Sequence, residues 1–412
     1  MTDPSVVVVG IGADGWDGLS PSALREIDGA DVLMGSARQL ALIPESPAQR
    51  VTWPSPLVPA LPRLFEQHHG RRVCVLASGD PMFHGIGVTL VDLLGAERVR
   101  VIPHPSSATL ACARLGWAAH ETPVVSLVNR PVDTLLPALG ERMRLLVLSR
   151  DERTPVAVAE LLTKRGFGPS RLSVLGELGG PEESRLDGTA SGWSHDPGAR
   201  LNVIAIDCRA DPGTPRLTRM PGLPDAAFTG DGQMTKHEIR ALTLCALAPA
   251  AGELLWDVGG GSGTVAIEWM RTHPRCRAVS FERSAARVDQ IEANAAGLGV
   301  PSLAVFGDAP AAFEDVPPAL AAPDAIFVGG GVTQDGLLDE CWSRLRVGGR
   351  MVANAVTAES EALLLQWFSK CGGQLRKFQV YRGDPLGGFT AWRPQLPVAQ
   401  WSVTKQSKGD AA

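Results

Sequence analysis

Short apolar runs, divided by glycine turns and helical stretches, make up the first half of the chain. The runs that predict buried strands are residues 6–9, 73–77, 99–102, 124–128, 145–148, 172–175 and 201–206. Helical stretches are predicted between several of them, including 20–27 and 155–164. This alternation predicts an α/β domain with a largely parallel sheet over residues 1–212.

The composition and the hydrophobic pattern of the chain change after residue 207. Residues 210–224, ADPGTPRLTRMPGLP, hold four prolines and two glycines without apolar periodicity. Such a stretch is typical of a connection between domains. We therefore predict a linker at 213–224, with the domain boundary near residue 215.

Strand and helix patterns alternate again over residues 225–400. Thr235 and Glu238 fit a T-x-x-E capping box, in which the threonine caps a backbone N–H and the glutamate reaches back to the cap residue. Apolar residues then recur at helical spacing. Strands are predicted at 254–258, 278–281, 303–306, 325–328 and 350–353, with helices at 264–271, 285–298, 337–345 and 359–370. A second α/β domain follows from this pattern.

Two expectations concern the end of the chain. Runs 375–381 and 389–392 are close enough to form an antiparallel pair at a sheet edge. Residues 401–412, which end in QSKGDAA, are expected to form a disordered tail.

Composition narrows the class of protein. At 412 residues the chain exceeds the size at which one core keeps growing, so two or more domains are expected. A net charge of −5 disfavours a nucleic-acid coat or a polybasic membrane surface. Seven scattered cysteines without a CxxC pair, and eight histidines without HxxxH, predict reduced thiols and no metal site. With neither a signal sequence nor a membrane-length apolar run, we expect a cytoplasmic protein.

A glycine loop in the second half carries the clearest chemistry. Asp257 ends a predicted strand, and the loop that follows lies directly before a helix, where glycines let a ligand approach the backbone. Glu282 ends the next strand, 25 residues after Asp257, where an acid can bind a ribose diol. Asp308 ends the third strand, where it can meet an adenine edge. Neither GxGxxG nor GxxxxGK[ST] is present in the loop, which disfavours dinucleotide and nucleoside triphosphate binding.

Three strand-end loops in the first half could form a second site. They are Gly10-Ile11-Gly12, the run GDPMFHGIG from Gly79 to Gly87, and Pro105-Ser106-Ser107. Ligands of open α/β sheets bind at the carboxyl ends of the strands, so the loops could converge on one cleft. Asp80 could cap a turn or act as a base. His84 and His104 could move protons near neutral pH, or could be structural.

These motifs resemble known methyltransferases. The order of Asp257, the glycine loop, Glu282 and Asp308 along the chain resembles that of class I methyltransferases. Their cofactor, S-adenosylmethionine, carries no phosphate. The run Met234 to Arg240, with Gly307-Asp308-Ala309-Pro310 and the run VANAVT at 352–357, is similar to the C-terminal component of the decarboxylating precorrin-6Y methyltransferases. The loops of the first half resemble the tetrapyrrole methylases, with Ala13 in place of their usual proline and Ser20 in place of threonine.

The resemblance implies a fold, a reaction and a set of contacts. The fold would be an N-terminal tetrapyrrole-methylase-type α/β domain followed by a class I, Rossmann-like methyltransferase domain. The reaction would be methylation of precorrin-6Y at carbons 5 and 15 with decarboxylation of the acetate on carbon 12, one S-adenosylmethionine per domain, no metal, and a homo-oligomeric chain. The residues expected to contact the cofactor are Gly10, Gly12, Asp80, Phe83, Gly85, Ser106 and Ser107 in the first domain, and Thr235, Gly259, Gly260, Gly261, Ser262, Gly263, Glu282, Asp308 and Ala309 in the second.

Alternatives stay open at this point. Both folds have relatives that modify RNA, although no basic face or appended RNA module is visible in the sequence. The cobalt-containing branch of the pathway uses related components. A regulatory protein could bind the cofactor without turnover. Thr235 could contact the cofactor or only cap its helix.

Overall fold

The computed structural model describes residues 6–407 and divides the chain into two compact units. The first extends to Thr214, apart from Asp133–Leu139, and the second comprises Asp133–Leu139 together with the chain from Pro215 onwards. Within residues 6–407, no helix is long and apolar enough to cross a membrane.

The first unit begins with a five-stranded sheet whose strands are all parallel. Its strands are β1 (Val6–Ile11), β2 (Val32–Gly35), β3 (Gln49–Thr52), β4 (Val73–Ser78) and β5 (Val99–Ile102), in the order β3-β2-β4-β1-β5. The helices are α1 (Pro21–Asp28), α2 (Ala37–Ala41), α3 (Leu57–Gln67), α4 (Ile86–Leu94) and α5 (Ser107–Leu115). β1 lies between β4 and β5, and it is buried throughout because helices cover both faces of a parallel sheet. The loops after these three strands therefore leave the sheet side by side.

A second sheet completes the first unit and departs from the expected parallel arrangement. It contains β6 (Val124–Ser126), β7 (Arg144–Leu148), β8 (Arg171–Gly176), β9 (Ser184–Thr189) and β10 (Asn202–Asp207), with helix α6 (Thr154–Lys164), in the order β6-β7-β10-β8-β9. Only β6 and β7 are parallel, since β10 runs antiparallel to both of its neighbours. The expectation of one largely parallel sheet is thus correct for the first sheet and wrong for the second.

The second unit is built on a seven-stranded sheet. The strands of this unit are β11 (Leu254–Val258), β12 (Arg277–Phe281), β13 (Ala304–Phe306), β14 (Ala325–Val328), β15 (Arg350–Ala355), β16 (Gln374–Phe378), β17 (Tyr381–Leu386), β18 (Phe389–Pro394) and β19 (Val398–Thr404). Of these, β17 and β18 form a separate hairpin, and the other seven form the sheet. The helices are α7 (His237–Leu247), α8 (Thr264–Thr272), α9 (Ala285–Gly297), α10 (Leu337–Arg344) and α11 (Ala358–Cys371). The sheet order is β13-β12-β11-β14-β15-β19-β16, and the first five strands are parallel. This arrangement confirms the Rossmann-like α/β fold.

Successive side chains of β11 point to opposite faces of the sheet, and both faces are buried, which explains why the strand is a continuous apolar run. Trp256 belongs to the hydrophobic cluster on one face of the sheet, and Leu255 to the cluster on the other. Both side chains are fully buried. Because the strand order reverses beside β11, its carboxyl end and that of β14 form the crevice in which ligands of such sheets bind.

Four local expectations need correction: the capping box, the antiparallel edge pair, the disordered tail and the linker. The capping box is wrong, because α7 begins at His237 with Lys236 as N-cap, and the Glu238 carboxylate accepts hydrogen bonds from Arg382 at 2.9 and 3.2 Å instead. The expected edge pair is also wrong, since β16 pairs with β19 and β18 pairs with β17.

The disordered tail does not begin at residue 401. Trp401 is fully buried within β19, which inserts antiparallel between β15 and β16. Residues 408–412 lie outside the described part of the chain.

Much of the expected linker is packed against the second unit. The Arg271 side chain donates to the carbonyl oxygens of Leu217 and Thr218, and the Glu268 carboxylate accepts from the backbone N–H groups of Gly222 and Leu223. These buried charges satisfy the backbone of a segment that has no secondary structure of its own.

Candidate active sites

The glycine loop of the second unit joins the ends of three strands. The backbone N–H groups of Gly259 and Gly260 both donate to the carbonyl oxygen of Phe281, at 3.0 Å, which ties the loop to β12. On the other side, a Cβ atom on Gly259 would lie 2.8 Å from the backbone nitrogen of Gly330, after β14. Gly259 also has a φ of +77°, so both space and conformation require glycine there.

Glu282 holds the same loop from the end of β12. Its Oε2 atom accepts from the N–H of Gly261 and its Oε1 atom from the N–H of Ser284, each at 2.9 Å. The residue is only 5% exposed, and a guanidinium nitrogen of Arg287 lies 4.0 Å from Oε1. Each carboxylate oxygen has two lone pairs, so the group can accept further hydrogen bonds from a ligand.

Asp257 is a buried acid with one unsatisfied oxygen. Its Oδ2 atom accepts from the N–H of Ala266 at 3.1 Å, whereas no group of residues 6–407 donates a hydrogen bond to Oδ1. Burial raises the pKa of this carboxyl to about 7; the Ala266 hydrogen bond opposes the shift and the charge of Glu282 adds to it. A buried acceptor without a donor costs free energy unless a ligand satisfies it. Asp257 lines the adjacent cavity, so a ligand there can reach it.

A cavity of about 860 Å³ opens in front of this loop, a volume large enough for a nucleoside together with part of a larger substrate. The residues expected from sequence that line it are Thr235, Gly259, Gly260, Gly261, Glu282, Asp308 and Ala309. Ser262 and Gly263 do not: Ser262 is buried and donates to the carbonyl of Gln233 at 3.2 Å, and the Gly263 N–H donates to the carbonyl of Gly260 at 2.8 Å.

Basic side chains line the cavity, as a substrate with many carboxylates requires, but the sequence did not indicate which ones. Arg287 pairs with Asp231 at 2.9 Å and Arg382 pairs with Glu238. Lys236 and Arg283 also line the cavity, and within the described chain neither has a carboxylate partner. Lys236 follows Thr235 and Arg283 follows Glu282 in the sequence. This proximity to motif residues could have indicated that both side chains lie at the cavity.

Asn354, from the run VANAVT, is held rigidly beside the cavity. Its amide nitrogen donates to Thr243 Oγ1 at 2.9 Å, and its Oδ1 atom accepts from Gln400 Nε2 at 3.1 Å. Gln400 stands opposite Asn354 in the pairing of β15 with β19 and is fully buried. The orientation of the Asn354 amide is therefore fixed, with one N–H and one lone pair left for a ligand.

The three loops of the first unit converge, as their order in the sheet requires. A Cβ atom on Gly10 would lie 2.1 Å from the carbonyl oxygen of Gly79 and 2.7 Å from the backbone nitrogen of His104. A Cβ atom on Gly12 would lie 2.6 Å from Nε2 of His104. At Gly10 only glycine fits, because the backbone of the loops after β4 and β5 lies against the end of β1, whereas a side chain at Gly12 would require His104 and Asp14 to move.

The other candidates of the first unit have identifiable local roles. Asp80 Oδ1 accepts from the N–H of Met82 at 2.8 Å, which closes a turn, and Ser106 caps α5 by accepting from the N–H of Thr109 at 3.1 Å. Gly85 lies close against Pro81, whose carbonyl oxygen would be 2.6 Å from a Cβ atom there. The remaining two positions are Phe83, which is exposed and contacts the His84 ring edge-on, and Ser107, the first residue of α5.

The two histidines of this unit differ in their surroundings. His104 Nε2 lies 3.4 Å from Asp14 Oδ1. His84 has a φ of +56° and no carboxylate within ion-pair distance among residues 6–407. Burial and then the charge of Arg130 lower the pKa of His84.

Comparison with known proteins places both units among methyltransferases. The sequence model of the tetrapyrrole (corrin/porphyrin) methylases matches residues 5–192, and that of the precorrin methyltransferase domain matches residues 226–405. The fold of each unit and these matches define the chain as a methyltransferase with two different methylating domains.

Two curated relatives match almost the whole of this chain. Precorrin-6Y C(5,15)-methyltransferase [decarboxylating] of Mycobacterium tuberculosis is 52% identical over 405 residues, covering 97% of this chain and 100% of the relative. The protein of that name from a Sinorhizobium species is 44% identical over 407 residues, covering 98% and 97%. The chain belongs to the family of decarboxylating precorrin-6Y C(5,15)-methyltransferases. A solved C-terminal domain of such an enzyme from Rhodobacter capsulatus has 44% identity and a TM-score of 0.43, covering 46% of this chain and 100% of that one.

Proposed function

We propose that this enzyme transfers two methyl groups to precorrin-6Y, at carbons 5 and 15, and removes the carboxyl group of the acetate on carbon 12. The product would be precorrin-8, an intermediate of cobalamin biosynthesis. The observation that carries the proposal is 52% identity over 97% of the chain to a relative of that name. The two separate sets of strand-end loops support it, since two methyltransferase sites in one chain suit a substrate that is methylated twice.

The residues of the second unit fit S-adenosylmethionine. When bound, this cofactor supplies a methyl group already activated on a sulfonium. Glu282 would hold its ribose diol and Asp308 its adenine edge, while the unsatisfied Oδ1 atom of Asp257 would accept an N–H from the ligand. Gly259 and Gly261 would let the ligand approach the backbone. The first unit would hold a second cofactor molecule at the loops of Gly10, Gly79 and Ser106.

Basic residues of the cavity suit a polycarboxylate macrocycle. Lys236 and Arg283 have no carboxylate partner within residues 6–407, so their charges are available to substrate carboxylates. Asn354 presents a fixed amide at the same cavity. Because the donor is preactivated, the protein would act by aligning the macrocycle and excluding water rather than by supplying a nucleophile.

We assign the two methylations to different units. Residues 1–212 would methylate carbon 5, and residues 225–400 would methylate carbon 15 and decarboxylate. Carbon 15 lies between rings C and D, beside the ring that carries the acetate on carbon 12, whereas carbon 5 lies between rings A and B. One cavity can therefore present carbon 15 and the acetate with a small re-orientation of the substrate.

The substrate would be the metal-free macrocycle. The relatives that span the whole chain are named for precorrin-6Y, whereas a relative named cobalt-precorrin-7 C(5)-methyltransferase, from Salmonella typhimurium, matches 44% of it. A homo-oligomeric state and a cytoplasmic location remain predictions.

Paired variants of the full chain test this division of labour. Substituting Gly12→Val together with Asp80→Ala should abolish one methyl transfer and leave carbon dioxide release intact. The reciprocal pair, Gly261→Val with Asp308→Ala, should abolish the methyl transfer to carbon 15. A folded Gly12/Asp80 variant that releases no carbon dioxide would contradict the assignment, unless substrate already methylated at carbon 5 restores the release.

A further inference from the structure

We propose that His104 is the base that removes the proton from carbon 5 in the first unit, and that Asp14 is the residue that positions it. This inference rests on the proposed assignment of carbon 5 methylation to that unit. It selects between the histidines that the sequence left open, and it gives Asp14 a role that no motif indicated.

The Asp14 carboxylate occupies a space that two glycines create. A Cβ atom on Gly12 would lie 2.4 Å from Asp14 Oδ1, and one on Gly18 would lie 1.9 Å from Oδ2. Neither glycine has a positive φ, so backbone conformation does not explain them. A side chain at either position would therefore require the Asp14 carboxylate to move.

One oxygen of the Asp14 carboxylate lies within ion-pair distance of His104. Oδ1 is buried, and no hydrogen bond reaches it from any residue between 6 and 407. His104 Nε2 is 3.4 Å away, at ion-pair distance but longer than a formed hydrogen bond. Contacts of this kind in ligand-free active sites commonly tighten when substrate binds.

The contact determines which nitrogen of His104 can act. An Nε2–H pointing at Asp14 leaves Nδ1 as the proton acceptor, and the adjacent carboxylate stabilises the imidazolium that forms. Across the described chain, no hydrogen bond occupies Nδ1. The side chain is 12% exposed and lies where the loops of Gly12, Gly79 and Ser106 converge.

His84 and Asp80 are less suited to this role. Among residues 6–407 no carboxylate lies within ion-pair distance of His84, and the nearby positive charge of Arg130 opposes formation of an imidazolium. Asp80 already accepts the Met82 N–H that closes its turn.

Methylation of a methine carbon requires such a base. Once carbon 5 has gained its methyl group it also retains its hydrogen, and conjugation returns only when that C–H bond breaks. The electron pair of the bond enters the ring system, and the proton forms an N–H bond with Nδ1 of His104. The imidazolium then releases the proton to water, so no oxidant or reductant is needed.

The test uses the full chain with His104→Ala and Asp14→Asn variants. Removal of a general base typically lowers turnover by about 100-fold or more. We expect a loss of that size in kcat for carbon 5 methylation in His104→Ala, with KM for S-adenosylmethionine little changed and partial rescue by added imidazole. Asp14→Asn should lower kcat by at least about tenfold. Carbon 15 methylation and carbon dioxide release serve as internal controls, and His120→Ala, at an exposed histidine of the same unit, is the matched control.

A second readout does not depend on turnover. In ¹⁵N-histidine-labelled protein without substrate, His104 should appear as the Nε2–H tautomer, and Asp14→Asn should shift or broaden that signal. Wild-type carbon 5 turnover in His104→Ala, or an Nδ1–H tautomer in the wild type, would overturn the proposal. Failure of the assigned function is distinct: the Gly12/Asp80 variant would then still methylate carbon 5.

Discussion

The carboxylate of Glu282 accepts a hydrogen bond from the backbone N–H of Gly261 at 2.9 Å, so the acid that would hold the ribose also shapes the glycine loop. Its second oxygen is bonded to the N–H of Ser284. Substitution of Glu282 would therefore remove the proposed ribose contact and loosen the loop at the same time.

Calorimetry should show two S-adenosylmethionine sites per wild-type chain and one in Glu282→Ala. Glu282→Gln, which keeps the shape of the side chain, should weaken the second-unit site by roughly 10- to 100-fold, because a hydrogen bond to a charged group contributes about 1.5–3 kcal/mol. Glu292→Ala, at an exposed glutamate of α9, is the control and should keep both sites. A single wild-type site that Glu282→Ala abolishes would refute the two-site interpretation.

Steric exclusion at Gly259 gives a second prediction. Gly259→Ala combines a φ of +77° with a Cβ atom 2.8 Å from the Gly330 nitrogen, whereas Gly252→Ala has a φ of +94° but open space around it. Both variants should lose about 1–2 kcal/mol of stability from the strained backbone. Only Gly259→Ala should also lose cofactor binding and carbon 15 methylation. Equal binding by the two variants would show that the close approach of the loops is not required.

The raised pKa of Asp257 predicts a pH-dependent stability. Burial, reinforced by the charge of Glu282, raises the pKa of Asp257 from 3.8 to about 7. Between pH 3.8 and pH 7 the carboxyl is therefore protonated in the folded state but ionised in the unfolded state. The free energy of unfolding that this group contributes should therefore be fully present below pH 3.8 and be lost as the pH rises towards 7.

Thermal unfolding of an Asp257→Asn variant measures this effect. The asparagine cannot titrate, so the difference in Tm, variant minus wild type, should increase by roughly a few degrees from acid to neutral pH. Asp289→Asn, at an exposed aspartate of α9, should show a constant difference. A difference that stays flat for Asp257→Asn would mean that its carboxyl ionises normally in the folded protein.

Lys236 and Arg283, which have no carboxylate partner within residues 6–407, should contribute to the affinity of the cavity for the macrocycle. The double variant Lys236→Ala/Arg283→Ala should raise KM for the macrocycle several-fold, since each exposed charge contributes on the order of 0.2–1 kcal/mol, and the difference should shrink at high salt. KM for S-adenosylmethionine should stay the same, as should all constants of Arg275→Ala, an exposed arginine of the same unit. An unchanged KM for the macrocycle would place its carboxylates elsewhere.

Local patterns were enough to predict β1, β4 and β5 of the first sheet, the five parallel strands of the second unit and the loops after them, but they missed β2 and β3. The run that became β11 is apolar on both faces, and its glycine loop, Glu282 and Asp308 follow directly from strand ends. Their convergence is a consequence of parallel pairing, so it could be anticipated without coordinates.

Long-range pairing was beyond reach of the sequence. Arg382 meets Glu238 across 144 residues, and the Asn354 amide is fixed by Gln400 through the register of β15 with β19. Nothing local indicates that β19 inserts between β15 and β16, so Trp401 was assigned to a disordered tail. The capping box was wrong because α7 begins at His237 with Lys236 as N-cap, and the Glu238 carboxylate pairs with the distant Arg382.

The product of one turnover tests most directly whether a single chain performs both methylations and the decarboxylation. The wild-type enzyme would be incubated with metal-free precorrin-6Y and S-adenosylmethionine carrying a ¹³C-labelled methyl group, and the product mass would be measured. We predict a macrocycle that has gained two labelled methyl groups and lost one carbon dioxide. A product with one methyl group, or with two methyl groups and the carboxyl retained, would contradict this.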